Sequence, residues 1–442
     1  MANITLSNVS DQTVSGTTGG DTITLTGRGS NVYIDGLAGG DTISSATATP
    51  AGYTNATVMG GLGVDTISGF SSNSMLFGGQ GGDTILLNAG GANLTVFGGQ
   101  DDDTITASSG STALIFGNMG VDTIDLTDFG DGASVFGGQG DDAITGGGGS
   151  NAYISGDIGD DSITSNGDLA TVLGGQGRDT ISATGTQSLL FGNEGDDSLS
   201  VGFADGASVF GGQGSDTIQL FFSSNSVVFG NMDDDTITTL SGSSTIFGGQ
   251  GSDRIQVSGL NNVVFGDLGN DTIDARNDTQ ATVSGGAGND QLIANGSQVQ
   301  LTGGTGSDIF SVAGAVAGQN NSTLTVTDFV TGSDFVDFGG PSAISTNYRE
   351  AQVSGGLTAA QAAVGNNDAE NSYVFVAGST DGYLFFNASS GNGGQQVITL
   401  TGLGGSPNSG ALDSFSATDI VGSNTSVNNP GPGPILFPPI PL

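Results

Sequence analysis

Between about residues 16 and 310 the chain repeats one short rhythm of apolar and polar positions. An apolar pair such as Leu76-Phe77 leads into a glycine-rich turn that closes on aspartate. Thr-Ile or a close variant follows, as in Asp83-Thr84-Ile85 and Asp253-Arg254-Ile255, and then a variable polar turn. Alternation along a strand sends neighbouring side chains to opposite faces. If the residue two after the aspartate points inward, so does the residue two before the next glycine unit. Both positions are aliphatic: Ile85, Ile105, Ile124, Ile144 and Ile255 after the turn; Leu76, Val96, Ile115, Val135, Val209 and Val264 before it. The pattern predicts two short strands per coil and one narrow core closed by stacking.

The same parity sends Phe77, Phe97, Phe116, Phe136, Phe191, Phe210, Phe229, Phe247 and Phe265 outward, one above another. Soluble monomers rarely leave so large an apolar stripe bare. Two placements fit: a bulge or wider coil tucks the rings inside, or the stripe contacts another molecule or the C-terminal domain.

The turn itself is a six-residue unit, such as GGQGGD at Gly78–Asp83, GNMGVD at Gly117–Asp122 and GDLGND at Gly266–Asp271. Its closing aspartates are Asp21, Asp41, Asp65, Asp83, Asp103, Asp122, Asp142, Asp161, Asp179, Asp197, Asp216, Asp235, Asp253, Asp271, Asp290 and Asp308. Successive members lie mostly about 18 to 20 residues apart, in the period range of solenoids. GGQG turns partly alternate with GN or GD turns, which suggests a two-coil unit of about 37 residues. One physical coil takes either length; the shorter is the reading adopted.

A carboxylate placed once per coil makes a column of like charges roughly 5 Å apart, stable only when a cation fills it. Glycines at positions one, two and four of the unit allow positive φ and let carbonyl oxygens approach a shared point. The first-position glycines are Gly78, Gly98, Gly117, Gly137, Gly156, Gly174, Gly192, Gly211, Gly230, Gly248, Gly266 and Gly285. Calcium accepts six to eight such oxygens without strict geometry, whereas magnesium demands an octahedron and holds its waters. Zinc lacks its usual ligands, because the chain has no His and no Cys. The ligand set read from sequence is therefore the sixteen closing aspartates with these glycine carbonyls, holding about fifteen Ca²⁺ between turns. About thirty positive charges would offset most of the formal net charge of -39. Other acids in and beside the turns (Asp101, Asp102, Asp141, Asp157, Asp160, Asp196, Asp233, Asp234, Asp267) read as solvated or outer-shell groups. The threonine after many of the aspartates resembles an ice-binding ladder, although a plain β-surface preference explains it better.

The units GGQGDDAIT, GGQGSDTIQ, GDLGNDTID and GGAGNDQLI resemble the hemolysin-type (RTX) nonapeptide repeat. The resemblance covers roughly residues 16–310 and implies a calcium-filled parallel β-roll, bound at the sixth and first positions of each unit. It also implies a bacterial protein exported in one step by a type I system that reads a C-terminal signal. That family usually carries two such turns per coil. Here the opposite turn is plainly polar, as in SSNS at 223–226, which leaves ions on that edge an open question. The segment DGYLFFNASSG…QQVITLTGL…TDIV resembles terminal domains of cyanobacterial proteins with these repeats.

The fold expected is all-β: an opening strand at 1–15, a parallel β-roll (β-solenoid) of about 16 coils at 16–310, a cap at 311–340, a small mainly-β domain at 341–421 and a Pro/Gly-rich tail at 422–442. The segment AQAAVGNNDAENS reads as a weak helix or loop, and SYVFVAG, GYLFF and QQVITLTGL read as strands. The proline tail is either a linker or an extended docking peptide.

Composition removes whole classes of function. With five basic residues, all arginine, nothing supplies the patch that nucleic acid or an anionic membrane needs. No stretch approaches the roughly 18 apolar residues of a membrane span. Without His, Cys or Lys there is no zincin site, triad, thiol or Schiff-base chemistry, so no enzyme is expected. The N-terminus MANITLSNVSDQ lacks the basic start and apolar run of a secretory signal, and the expectation is an extracellular or cell-surface bacterial location through a C-terminal address. The function expected is a secreted, calcium-dependent structural protein that self-assembles as a homo-oligomer or polymer into a surface layer, sheath or filament. The alternative is a calcium-dependent adhesin that binds cell-surface glycans or matrix through its C-terminal segment.

Overall fold

The computed structural model describes residues 1–45, 52–87, 91–107, 110–127, 130–295, 298–312, 324–338, 348–352, 372–378, 380–387, 396–403 and 415–421. The fold is an all-β parallel solenoid of about 15 turns. It divides into two compact units, Met1–Ala287 and Gly288–Leu442.

In the first unit each coil contributes one strand to each of two parallel sheets. One sheet collects the strands that follow the turn aspartate, such as Thr84–Leu87, Thr104–Ala107 and Thr217–Phe221. The other collects strands that run into the turn, such as Met75–Gln80, Thr95–Gln100 and Val227–Met232. Register is strict: Leu76 lies beside Val96 and Phe77 beside Phe97, while Ile85 lies beside Ile105. The step between equivalent turn residues ranges from 18 (Asp65 to Asp83) to 24 (Asp41 to Asp65). One physical coil therefore has the shorter of the two lengths read from sequence.

Between the sheets lies a narrow aliphatic core. Ile85, Ile105, Ile144 and Ile255 face Leu76, Val96, Val135 and Val264, each at most 1 % exposed. The opposite corner is filled by small residues, among them Ala113, Ala133, Ala170, Ser188 and Ser226, all buried. These small residues let the two sheets close on each other at that corner, while Tyr53 and Phe70 are the large side chains buried in the first coils.

The phenylalanines do not enter this core. They stand on the outer face, half-buried, in one column that Ser155 and Leu173 divide into two stacks. One runs Phe77, Phe97, Phe116, Phe136 with ring centroids 4.9, 5.0 and 5.1 Å apart. The other runs Phe191, Phe210, Phe229, Phe247, Phe265 at 4.8 to 5.0 Å. Each ring is shielded by its neighbours in the next coils, and no bulge is needed to hide it.

In the second unit the coil pattern continues through Gln291–Ala294, Gln300–Thr305, Ile309–Val312, Leu324–Val326 and Phe335–Asp337. Three later strands, Ser372–Ala377, Asp381–Asn387 and Gln396–Thr401, pair antiparallel. They form a cluster around Val374, Val376, Tyr383 and Phe385. The last of them hydrogen-bonds in parallel to Leu324–Val326, so these strands extend a sheet of the coils. Ile420–Val421 likewise joins Phe335–Asp337. Among the described residues the one helical element is a single 3-10 turn at Ala417–Asp419. The segment AQAAVGNNDAENS, apart from its last residue, and the proline tail from 422 onward lie outside the described residues.

Candidate metal centre

The closing aspartates form one buried ladder along the turn edge of the first unit, 0 to 3 % exposed. Each one reaches back to the coil before it. The N–H of Asp41 donates to Oδ1 of Asp65 at 2.7 Å, that of Asp142 to Oδ1 of Asp161 at 2.8 Å, and that of Asp235 to Oδ1 of Asp253 at 2.9 Å. One carboxylate oxygen is thus engaged throughout. The other is not. Oδ2 of Asp41, Asp65, Asp83, Asp103, Asp122, Asp142, Asp161, Asp179, Asp197, Asp216, Asp235 and Asp253 is buried without a hydrogen-bond partner, as is that of Asp308 in the second unit. An unpaired buried carboxylate oxygen is costly; a column of them calls for a counter-charge.

The first glycine of each turn explains where this oxygen points. A Cβ built on Gly78 would lie 2.4 Å from Oδ2 of Asp83 and 2.4 Å from the carbonyl oxygen of Gly98 in the next coil. The same pair of oxygens meets Gly117, Gly137, Gly156, Gly174, Gly192, Gly211, Gly230, Gly248 and Gly266 at 2.1 to 2.8 Å. Acid and carbonyl oxygens of adjoining coils therefore converge on one notch. Gly98 makes the same approach to Asp103, and Gly285 supplies the carbonyl oxygen beside Gly266. This corrects the conformational reading of the turn: positive φ belongs to positions two and four, such as Gly79 (125°) and Gly81 (106°), and not to position one. Position one is glycine because a side chain would fill the notch. Position two tolerates Asn118, Asn193, Asn231, Asp157 and Asp267 at positive φ, residues suited to that region.

Gly16, Gly36 and Gly60 occupy the same notch before Asp21, Asp41 and Asp65, and Gly303 meets Oδ2 of Asp308 beside the Phe310 ring; none of the four is in the set read from sequence. The constant separation of glycine and aspartate within each unit was the signal that finds them. In the second unit, Asp308 donates its N–H to Oδ1 of Asp334 at 3.2 Å, so Asp334 continues the ladder beyond the last glycine-rich turn. Asp334 and Asp419 are each 2 % exposed. Asp328 accepts the N–H groups of Gly303 and Gly304 at 2.9 and 2.8 Å, capping that turn with one carboxylate.

Burial dominates the acidity of the ladder. It pushes Asp65, Asp122, Asp179, Asp216, Asp253 and Asp308 up to about 6. Asp83, Asp103, Asp142, Asp161 and Asp197 rise to about 7, and Asp235 to about 8. The donated N–H opposes the rise, and neighbouring carboxylates add to it. Asp21, at the open first coil, differs: burial raises it, but the N–H groups of Thr17 and Ala2 and the Thr17 hydroxyl outweigh that and lower it.

The remaining turn acids, exposed apart from the half-buried Asp157, are not idle. Asp102, Asp141, Asp160, Asp196 and Asp234 each accept a backbone N–H of the next coil at 2.6 to 2.9 Å. On the opposite edge, Asp131, Asp168 and Asp205 do the same for Ser150, Thr186 and Ser224. Those carboxylates are exposed and bonded, unlike the buried Oδ2 column. Among the described residues no three of His, Cys, Asp and Glu gather in one place. The donor set of the ladder is instead one carboxylate per turn with backbone carbonyls, all hard oxygen, which fits calcium. No helix among the described residues is long and apolar enough to cross a membrane.

The RTX calcium-binding nonapeptide repeat model, written as four copies, matches residues 51–85, 86–112, 134–153, 173–206, 229–259, 256–279 and 282–314. These segments carry RTX calcium-binding repeats. Among solved structures it is similar to the solution structure of the AlgE6R3 subunit from the Azotobacter vinelandii mannuronan C5-epimerase, at 21% sequence identity and a TM-score of 0.21. That match covers 48% of this chain and 92% of the other. No curated protein matches the chain.

Proposed function

We propose that Ca²⁺ binds between successive turns of the aspartate ladder and that its binding drives folding of a secreted structural protein. The observation that carries this reading is the column of buried, unpartnered Oδ2 atoms facing carbonyl oxygens of the next coil. The ligands are the closing aspartates and the first-position carbonyls, with about fifteen ions, one per gap. Bound calcium supplies the positive charge that the buried carboxylates lack. The chain's own part is to present the oxygens, exclude water and hold the notch open with glycine.

Because the carboxylates repel one another without metal, affinity for calcium becomes part of the folding free energy. The absence of His, Cys and Lys speaks against catalysis and for a building-block role. Millimolar calcium outside a bacterium suits a site of this kind, and self-assembly into a surface layer, sheath or filament is the use proposed for it.

Calcium titration followed by circular dichroism and light scattering tests both halves together. Strand signal and scattering should rise with calcium and collapse with chelator. A chain that holds the same strand signal at neutral pH after exhaustive chelation would overturn the folding half. Monodisperse monomers with calcium would overturn the assembly half.

A further inference from the structure

The outer face that carries the phenylalanine stacks is corrugated. From Thr95 to Ala287 large and small residues alternate coil by coil at matched register. At the start of the strands, Leu114, Tyr153, Leu189, Val227 and Val263 alternate with Thr95, Ser134, Thr171, Ser208, Thr245 and Thr282. At the turn end, Met119, Ile158, Met232 and Leu268 stand out, 46 to 55 % exposed. The small-residue coils carry glycine and then glutamine there, as at Gly138-Gln139 and Gly249-Gln250, while the ridge coil of Leu189 ends in Asn193-Glu194. Two recesses result. One has Gly138 at its centre between Met119 and Ile158, and the other has Gly249 between Met232 and Leu268.

We propose that this face is a homotypic interface on which two copies of the chain pack antiparallel, the ridge residues of each seated over the glycine coils of the other. Three observations select a second copy as the occupant. The ridges recur every two stacking steps of about 5 Å, so their period is about 10 Å. A surface that matches this period over many coils is the same surface displaced by one coil. The strand-start and phenylalanine columns carry no charged side chain, whereas the chain has a net charge of -39. This is therefore a face on which two such acidic molecules meet without opposing carboxylates, while a basic partner is drawn to the acidic edges instead. Finally, a two-fold axis along the strand direction and between two coils sets every ridge coil opposite a glycine coil. Asp157 and Asp267, which border the recesses, and Glu194, at the turn end of the Leu189 coil, then face glycine coils and not one another.

The inference rests on the self-assembly reading and names the surface it uses. The experiment compares wild type with the variant M119Q/I158Q/M232Q/L268Q by sedimentation velocity in millimolar Ca²⁺ across micromolar concentrations. Glutamine already occupies these register positions in neighbouring coils, as at Gln139, Gln176 and Gln250. The expected result is a wild-type dimer, or larger assemblies built from it, and at least a tenfold weaker association in the variant at unchanged circular dichroism and calcium uptake. The pair L114T/L189T, again borrowing residues of neighbouring coils, repeats the test should the first variant fail to fold. Equal association of wild type and folded variants overturns this face while leaving self-assembly standing. A folded wild type that stays monomeric overturns both.

Discussion

The N–H of Asp142 donates to Oδ1 of Asp161 at 2.8 Å, and Oδ2 of Asp161 is left buried with no partner. One side chain thus does two different things: one oxygen stitches two coils, and the other, under the function proposed above, faces the cation. Asn in its place keeps an oxygen for the stitch and removes the charge. Asp161→Asn is expected to weaken calcium binding at its two flanking gaps and to lower stability with calcium by about 1–3 kcal/mol. In chelator at neutral pH it should do the reverse and raise the melting temperature. Calorimetric calcium titration and paired melts check this; a variant destabilised equally in both media would mean that the carboxylate is only a hydrogen-bond acceptor.

The notch glycines make a second prediction. A Cβ at Gly78 meets Oδ2 of Asp83 and the carbonyl oxygen of Gly98, each at 2.4 Å, while Gly148 has open space around it. Gly78→Ala should cost about 1–3 kcal/mol through overpacking and reduce calcium uptake. Gly148→Ala should stay within about 0.5 kcal/mol of wild type. Chemical unfolding in calcium reads both, and equal small effects would remove the steric account of position one.

The acidity of the ladder predicts an unusual pH profile for the metal-free chain. Folded-state values of about 7 for Asp83 and Asp142 and about 8 for Asp235 lie above the ordinary 3.8. Folding therefore favours the protonated form. Its stability is fully present below pH about 4 and is lost as pH rises through about 6 to 8. In chelator the chain should be more ordered at pH 5 than at pH 8. Calcium displaces those protons, so its affinity should fall as pH drops through the same window, and its addition at pH 7 should release protons measurable in a pH-stat. A chelated chain less ordered at pH 5 than at pH 8 would contradict the assignment.

Asp328 offers a test in the second unit. Its carboxylate is the acceptor for the N–H groups of both Gly303 and Gly304. Asp328→Ala leaves two donors without that acceptor and should cost about 1–3 kcal/mol, concentrated near this turn. Hydrogen exchange should show faster exchange at Gly303 and Gly304 and unchanged protection near Ile144 or Ile163. Uniform loss of protection along the first unit would mean that the effect is not local.

What the sequence determined was everything the repeat itself encodes. The inward columns of Ile85, Ile105 and Ile144 against Leu76, Val96 and Val135 followed from alternation within a single coil, and so did the turn aspartates. Repetition then multiplied one weak local signal into an unambiguous one, and the expected 16 coils came close to the observed fold of about 15 turns. What only the tertiary structure decided were properties shared between coils. Whether Phe97 is hidden depends on Phe77 and Phe116 stacking against it. Why Gly78 is glycine depends on an oxygen of Asp83 and one of Gly98. Asp102 is exposed, as its sequence reads, but its bond from the N–H of Val121 exists only between coils. Asp328 and Asp334, and the joining of Gln396–Thr401 to Leu324–Val326, lie where the repeat has lapsed and no period announces them. A period read along the chain fixes which way each side chain points, but not which atom of the neighbouring coil it meets, because that depends on how far each opposite turn advances the chain.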